Sequence, residues 1–250
     1  MNAMSAARAS ATTDRLASAT NDRRAGATNE RRTTAQGAIG EASGLRLLPG
    51  ALDAGAQRAL LAEIASVLEQ APPYRPTMPK SGQAMSVRMT NAGPLGWLTD
   101  RAGYRYQATH PETHAPWPAM PPIALSLWRM HADYRADPEA CLVNLYDATA
   151  RMGLHRDADE AAKDAPVLSI SLGDTGLFRI GGAQRSDPTR SVRLASGDVA
   201  ILAGAARHFF HGIDRVIEGS SRLPDEFPAK LRALGIRRIN LTLRRVMVAG

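Results

Sequence analysis

The sequence predicts an α+β domain that is mainly β, with helices first and a sandwich or jelly-roll barrel of short strands after them. Three observations support this. Residues 53–69 place Leu60, Leu61, Ile64, Val67 and Leu68 on one helical stripe, with Asp53 able to cap it. After Pro138, short β-rich runs follow one another at 141–146, 167–172, 176–180, 190–194, 198–203 and 236–248. The turns between them are rich in Gly and Asp, including Gly173-Asp174, Gly181-Gly182 and Gly197-Asp198.

Residues 1 to about 44 stand apart. They are built from Ala, Thr, Ser, Arg, Asn and Gly and hold an imperfect repeat, Thr20-Asn21-Asp22-Arg23-Arg24 and Thr28-Asn29-Glu30-Arg31-Arg32. They contain too few large apolar side chains to offset ordering entropy, so a disordered tail is expected over 1–44 and one folded domain over 45–250. The Arg and Ser bias is that of a transit peptide, but Asp14, Asp22 and Glu30 run against it, and a start assigned too far upstream gives the same texture. Residues 71–122 are dense in Pro, Gly and Met and carry Trp97, Tyr104, Tyr106 and Trp117. That is too long for a simple connection and predicts short strands or a functional lid. A second helix is predicted over 122–135, with Leu127, Trp128, His131 and Tyr134 near helical spacing, and the strand-rich core over about 139–248.

With 250 residues and 44% apolar content, the chain can bury one substantial core. A net charge of +7 suits an anionic partner, although only Lys80, Lys163 and Lys230 are lysines, and an Ala- and Arg-rich chain also reflects base composition. The single cysteine, Cys141, excludes an internal disulfide and any Cys-based zinc cluster, and it reads as a core residue. No run approaches 18 apolar residues, so no membrane span is expected, and a reducing cytoplasm fits.

The chemistry-bearing residues are few. His155-x-Asp157 puts an imidazole and a carboxylate on one face of a strand, about 7 Å apart at the backbone, close enough to converge on one small cation. Two histidines and one carboxylate make an iron site with open positions. The third ligand is open between His208 and His211, which are three apart and face opposite sides of a strand. In the last strand Arg238, Asn240, Thr242 and Arg244 share one face, and Ile239, Leu241 and Leu243 the other. A surface strand shows the same alternation. If the polar face turns inward, however, its arginines need an anionic guest, and the guanidinium fork suits carboxylates. Asn144 and Tyr146 share a face too and offer an amide and a hydroxyl.

These residues form a pattern. Asn144-x-Tyr146, His155-x-Asp157-x-Asp159-Glu160, Phe210-His211-Gly212-Ile213 and Arg238-x-Asn240-Leu241-Thr242-x-x-Arg244, in that order, resemble the AlkB family of iron(II)- and 2-oxoglutarate-dependent dioxygenases that repair alkylated bases. Upstream, Met85-Ser86-Val87-x-Met89-Thr90-Asn91-x-Gly93-x-Leu95-Gly96-Trp97, Gly103-Tyr104-x-Tyr106 and Trp117-Pro118-Ala119-Met120-Pro121 resemble that family's nucleotide-recognition lid. The resemblance covers about residues 45 to 246. It implies a double-stranded β-helix core, iron(II) held by His155, Asp157 and His211, and 2-oxoglutarate held by Arg238, Asn240 and Arg244 with Asn144 and Tyr146. O2 is the second cosubstrate. It further implies that Trp97 stacks on an extruded base opposite His155, that Tyr104 touches the nucleotide backbone, and that Asp159 and Arg185 sit beside the base.

The implied reaction is oxidative demethylation of 1-methyladenine and 3-methylcytosine in single-stranded DNA, with RNA as a second polymer, releasing formaldehyde, succinate and carbon dioxide. A monomer in the cytoplasm is expected. One departure is visible: the family's Pro-Gly turn after the tyrosine is Asp147-Ala148-Thr149-Ala150 here. Two other classes compete. The lid motif and the basic charge argue against an iron and 2-oxoglutarate oxygenase acting on RNA, protein or a small molecule, since a small-substrate enzyme needs neither. A non-catalytic nucleic-acid-binding jelly-roll gains little from an intact His155, Asp157 and His211 set.

Overall fold

The computed structural model describes residues 43–248, so the tail expected over 1–44 lies outside the described residues except for its last two positions. In chain order the elements are β1 (Leu45–Leu48), α1 (Ala54–Gln70), β2 (Arg88–Ala92), β3 (Gly96–Asp100), β4 (Gly103–Gln107), α2 (Pro122–His131), β5 (Ala140–Asp147) and β6 (Met152–His155). They continue with β7 (Val167–Gly173), β8 (Thr175–Ile180), β9 (Arg190–Leu194), β10 (Val199–Leu202), β11 (His211–Ile217), α3 (Ala229–Ala233) and β12 (Ile236–Arg244).

A six-stranded sheet of order β1-β10-β7-β12-β5-β2 and a four-stranded sheet of order β6-β11-β8-β9 make up the jelly-roll core, and β3 and β4 form a separate hairpin. All pairings are antiparallel. The six-stranded sheet is two-faced because its side chains alternate. Its outer face brings Cys141, Val143 and Leu145 of β5, Leu168, Ile170 and Leu172 of β7, and Ile239, Leu241 and Leu243 of β12 into one core with α1 and α2. Each fully buried aliphatic side chain there contributes roughly 1.5–3 kcal/mol. The inner face is polar, and it is the face that forms the site.

The helices follow from local chemistry. Asp53 accepts a hydrogen bond from the Ala56 N–H at 2.8 Å, capping α1, whose buried residues are the predicted stripe of Leu60, Leu61, Ile64, Val67 and Leu68. Helix α2 starts with Pro122 at its first position, as proline favours, but stops at His131 rather than 135. Asp133 turns to a left-handed φ of 53° and breaks the run. Strand β12 also ends early, at Arg244, because Glu139 accepts from the Val246 and Met247 N–H groups and pulls the chain away from the sheet. The region expected to hold short strands or a lid, 71–122, contains β2, β3 and β4.

Candidate active site

Three side chains converge at one end of the inner surface. Ligand atoms of His155, Asp157 and His211 all lie within 4.8 Å of one another. Asp157 Oδ1 is 4.0 Å from His155 Nε2, and its Oδ2 is 3.8 Å from His211 Nε2. Donors each about 2 Å from a shared cation lie about 3–4 Å apart, so small adjustments close this set around one ion.

Pairing of β11 with β6 places His211 directly opposite His155. Gly212 is required there, since a Cβ would fall 2.5 Å from the Met152 carbonyl of the facing strand. The choice between the two histidines resolves physically. His208 is exposed at the end of a short 3-10 helix, Gly204–His208, and the strand begins only at the buried His211. Strand parity does not orient Asp157, because β6 ends at His155. The Asp157 carboxylate is instead aimed by Arg244, which donates to its Oδ1 at 2.6 Å.

Both imidazoles are set for Nε2 ligation. His155 Nδ1 meets the Gly153 carbonyl at 3.0 Å, and His211 Nδ1 meets the Phe209 carbonyl at 2.9 Å. A carbonyl only accepts, so each Nδ1 carries a proton, and each Nε2 is the nitrogen that faces Asp157 and is left for a metal. Burial and the neighbouring His155 lower His211 to about 4, so it is neutral near pH 7. Burial pushes the Asp157 carboxyl up, but Arg244, His211, His155 and Arg207 together hold it well below the usual carboxylate range.

A buried ion network surrounds the triad. Arg207, 2% exposed, donates to the Ala165 carbonyl at 2.9 Å, the Asp157 carbonyl at 2.7 Å and Glu160 Oε2 at 2.9 Å. Glu160 Oε1 accepts from the Tyr106 hydroxyl at 2.5 Å and faces Arg244 Nε at 3.6 Å. Asp157 and Glu160 are thus matched by Arg207 and Arg244. Arg238 is different. It is fully buried and donates only to neutral groups, the carbonyls of Asp174 and Leu194 and the Ser171 hydroxyl. Burial pulls it down to about 10, which still leaves it charged at neutral pH. Gly176 makes room for it, since a Cβ there would lie 2.8 Å from the guanidinium.

Among the described residues, the buried polar atoms without a hydrogen-bond partner are Asp157 Oδ2, Asn144 Oδ1, Arg238 Nε and Arg244 Nε, with Tyr74 Oη outside the site. Such orphans are costly, and four of the five belong to the residues from which the sequence pattern builds a metal and dicarboxylate site. The donor set therefore fits a divalent cation held by two imidazoles and a carboxylate, beside an anion that satisfies the arginines.

The site opens into a cavity of about 410 Å³ lined by eleven of the twelve expected residues: Trp97, Tyr104, Asn144, Tyr146, His155, Asp157, Asp159, Arg185, His211, Asn240 and Arg244. Arg238 is the exception and lies behind the lining, against Leu194. At the mouth, β3 and β4 present Trp97, Tyr104 and Tyr106 on one face of the hairpin. Trp97 stacks with Tyr104 at 5.7 Å and 23°, and its indole N–H donates to Asp159 Oδ2 at 2.8 Å. The Asn91 amide fixes Trp97 by bonding its backbone N–H and C=O, each at 3.1 Å. The turn at 147–150 needs no Pro-Gly, because Asp147 Oδ1 accepts from both the N–H and the hydroxyl of Thr149.

Sequence reasoning assigned no role to Asn91, Tyr106, Glu160 or Arg207, nor to Met78, Met85, Met89 and Met152, which give the cavity a deformable apolar wall. The motifs that carried the resemblance contain Asn91, Tyr106 and Glu160, and that was the available signal.

A family model described as the 2OG-Fe(II) oxygenase superfamily matches residues 44–244. An alpha-ketoglutarate-dependent dioxygenase AlkB homolog of Caulobacter vibrioides is 54% identical over 208 residues, covering 82% of this chain and 89% of that protein. The chain belongs to the AlkB family. The AlkB dioxygenase of Escherichia coli K12 is 41% identical over 164 residues, covering 64% of this chain and 76% of that protein. The solved structure of OsALKBH1 matches with a TM-score of 0.61 at 27% identity, over 82% of this chain and 99% of that one. As an AlkB-family dioxygenase the chain uses iron(II), 2-oxoglutarate and O2. Among the described residues no helix is long and apolar enough to cross a membrane.

Proposed function

We propose that this AlkB-family dioxygenase demethylates 1-methyladenine and 3-methylcytosine in single-stranded DNA, releasing formaldehyde, succinate and carbon dioxide. The observation that carries the reading is one cavity shared by the His155, Asp157 and His211 triad and the aromatic pair Trp97 and Tyr104. A metal site alone fits any oxygenase, whereas an indole face over it fits a flat ring. Relatives support the nucleic-acid class: plant and human proteins named DNA N(6)-methyladenine demethylase and nucleic acid dioxygenase match shorter stretches of the chain.

His155, Asp157 and His211 hold iron(II) in this reading, while Arg238, Asn240 and Arg244, with Asn144 and Tyr146, hold 2-oxoglutarate. When bound, iron with 2-oxoglutarate and O2 supplies the oxidant that hydroxylates the N-methyl carbon, after which the product loses formaldehyde. The protein orients. Tyr104 covers one face of Trp97, leaving the other to stack on a base extruded toward His155. 1-Methyladenine and 3-methylcytosine carry positive charge, and Asp159, beside the indole edge, offsets it. Arg185 and Tyr104 border the same opening. Arg207 and Glu160 keep Asp157 and Arg244 in place, and the apolar lining excludes water.

The test is formaldehyde release from single-stranded oligomers carrying either lesion, with iron(II), ascorbate and 2-oxoglutarate, against the same lesions in duplex. Release is expected from both single strands and more slowly from duplex. If 2-oxoglutarate is consumed in the presence of another substrate while both oligomers stay methylated, the substrate lies elsewhere.

A further inference from the structure

Arg156 stands between two of the metal-directed residues, yet its side chain does not join them. It is exposed, and its guanidinium carbon lies 5.7 Å from the centre of the Phe210 ring. Arg185 comes from the turn between β8 and β9 and reaches the same ring at 5.8 Å, with one Nη donating to the Leu154 carbonyl at 2.7 Å. Two guanidinium groups therefore share one aromatic ring, and both line the cavity. A cation within about 6 Å of a ring centroid is held by the ring's quadrupole. Seated this way, a guanidinium keeps N–H groups free for another partner.

Among the described residues, neither arginine has a carboxylate partner. The nearby acids are engaged: Asp157 by Arg244 at 2.6 Å, Asp159 by the Trp97 indole at 2.8 Å, and Glu160 by Arg207 at 2.9 Å. Exposed arginines elsewhere do find acids, as Arg58 does with Glu226 and Arg129 with Asp137. Two like charges held at one ring and without a carboxylate partner each favour an anion, and an anion that reaches both is attracted by both. A phosphodiester matches the guanidinium fork.

We propose that Arg156 and Arg185, seated on Phe210, clamp a backbone phosphate of the DNA strand beside the extruded base. The inference rests on the reading of the chain as a demethylase of bases in single-stranded DNA, and adds the group that grips the polymer. Nothing in the iron or 2-oxoglutarate chemistry requires Arg156, whose role is to select a nucleotide strand over a free base.

The experiment measures binding of a methylated single-stranded oligomer to the full chain with iron(II) and 2-oxoglutarate, without oxygen. It is repeated with each phosphodiester flanking the lesion replaced in turn by a neutral methylphosphonate. Wild type is expected to lose roughly tenfold in affinity at one linkage. Arg156→Met is expected to lose a similar factor on the parent oligomer and to be insensitive at that linkage. Its slope of log affinity against log salt should shrink by about 0.7, the share of one single-strand phosphate. Arg193→Gln removes one exposed charge on β9, outside the cavity, and should keep the wild-type slope and linkage pattern. Wild-type affinity in Arg156→Met overturns the clamp, as does weak binding that stays sensitive to every linkage. A wild-type protein that neither binds nor demethylates the strand overturns the underlying reading, and the clamp with it.

Discussion

The Tyr106 hydroxyl donates to Glu160 at 2.5 Å, fastening the aromatic hairpin to the buried charges around Asp157. Glu160 holds Arg207 and faces Arg244 through its other contacts, so one carboxylate ties the β3–β4 hairpin, the loop after β6 and the last strand together. Tyr106→Phe leaves Glu160 Oε1 short of a donor. A loss of about 1–3 kcal/mol is expected in urea unfolding. An unchanged unfolding midpoint would mean that other contacts hold the hairpin.

Asp157→Asn keeps the shape of the side chain and removes its charge. Arg244 then stays buried against a neutral amide, with its 2.6 Å charge partner gone and Glu160 at 3.6 Å its remaining carboxylate. The metal-free protein is expected to lose about 3–5 kcal/mol of stability by calorimetry. Manganese(II) affinity, followed by titration, is expected to fall more than about 100-fold, beyond the range for outer-shell partners. Retained affinity would remove Asp157 from the ligand set.

Gly176→Ala probes Arg238 without touching the metal triad. The added Cβ meets the Arg238 guanidinium, which is pinned by Ser171, Asp174 and Leu194 and has nowhere to move. The strain is expected to cost about 1–3 kcal/mol. The KM for 2-oxoglutarate should rise roughly tenfold, as for the loss of one charged contact. An unaltered KM would place the far carboxylate of 2-oxoglutarate away from Arg238.

Burial pushes the Cys141 thiol from near 9 up to about 12. The ionised thiol is therefore absent from the folded protein at pH 8–9 and appears only on unfolding. Alkylation by iodoacetamide is expected to be negligible in the native state at pH 8.5 and fast in urea. Fast native alkylation would show that β5 opens locally.

The sequence foretold β12 and α1 well, because each has one wet or ligand-facing side and one apolar side, and the period is visible in the residues themselves. Arg238, Asn240 and Arg244 against Ile239, Leu241 and Leu243 is such a case. A strand was expected at His155-x-Asp157, but four residues are too few to show a period, and β6 runs from Met152 and stops at His155, short of Asp157. Short strands were one of two readings of 71–122, but the Gly and Pro around β2, β3 and β4 blurred where each lies, and Asn91 acts through the backbone of Trp97, which no side-chain pattern reports. Arg207 was invisible for a different reason. Its partners lie 42 to 50 residues away, and only the folded chain distinguishes it from the other arginines.

The most direct measurement is the joint yield of formaldehyde and succinate from a single-stranded oligomer carrying 1-methyladenine, for wild type and His211→Ala. Equal amounts of the two products are expected from wild type and neither from the variant. Succinate without formaldehyde, or formaldehyde that persists in His211→Ala, would contradict demethylation by this site.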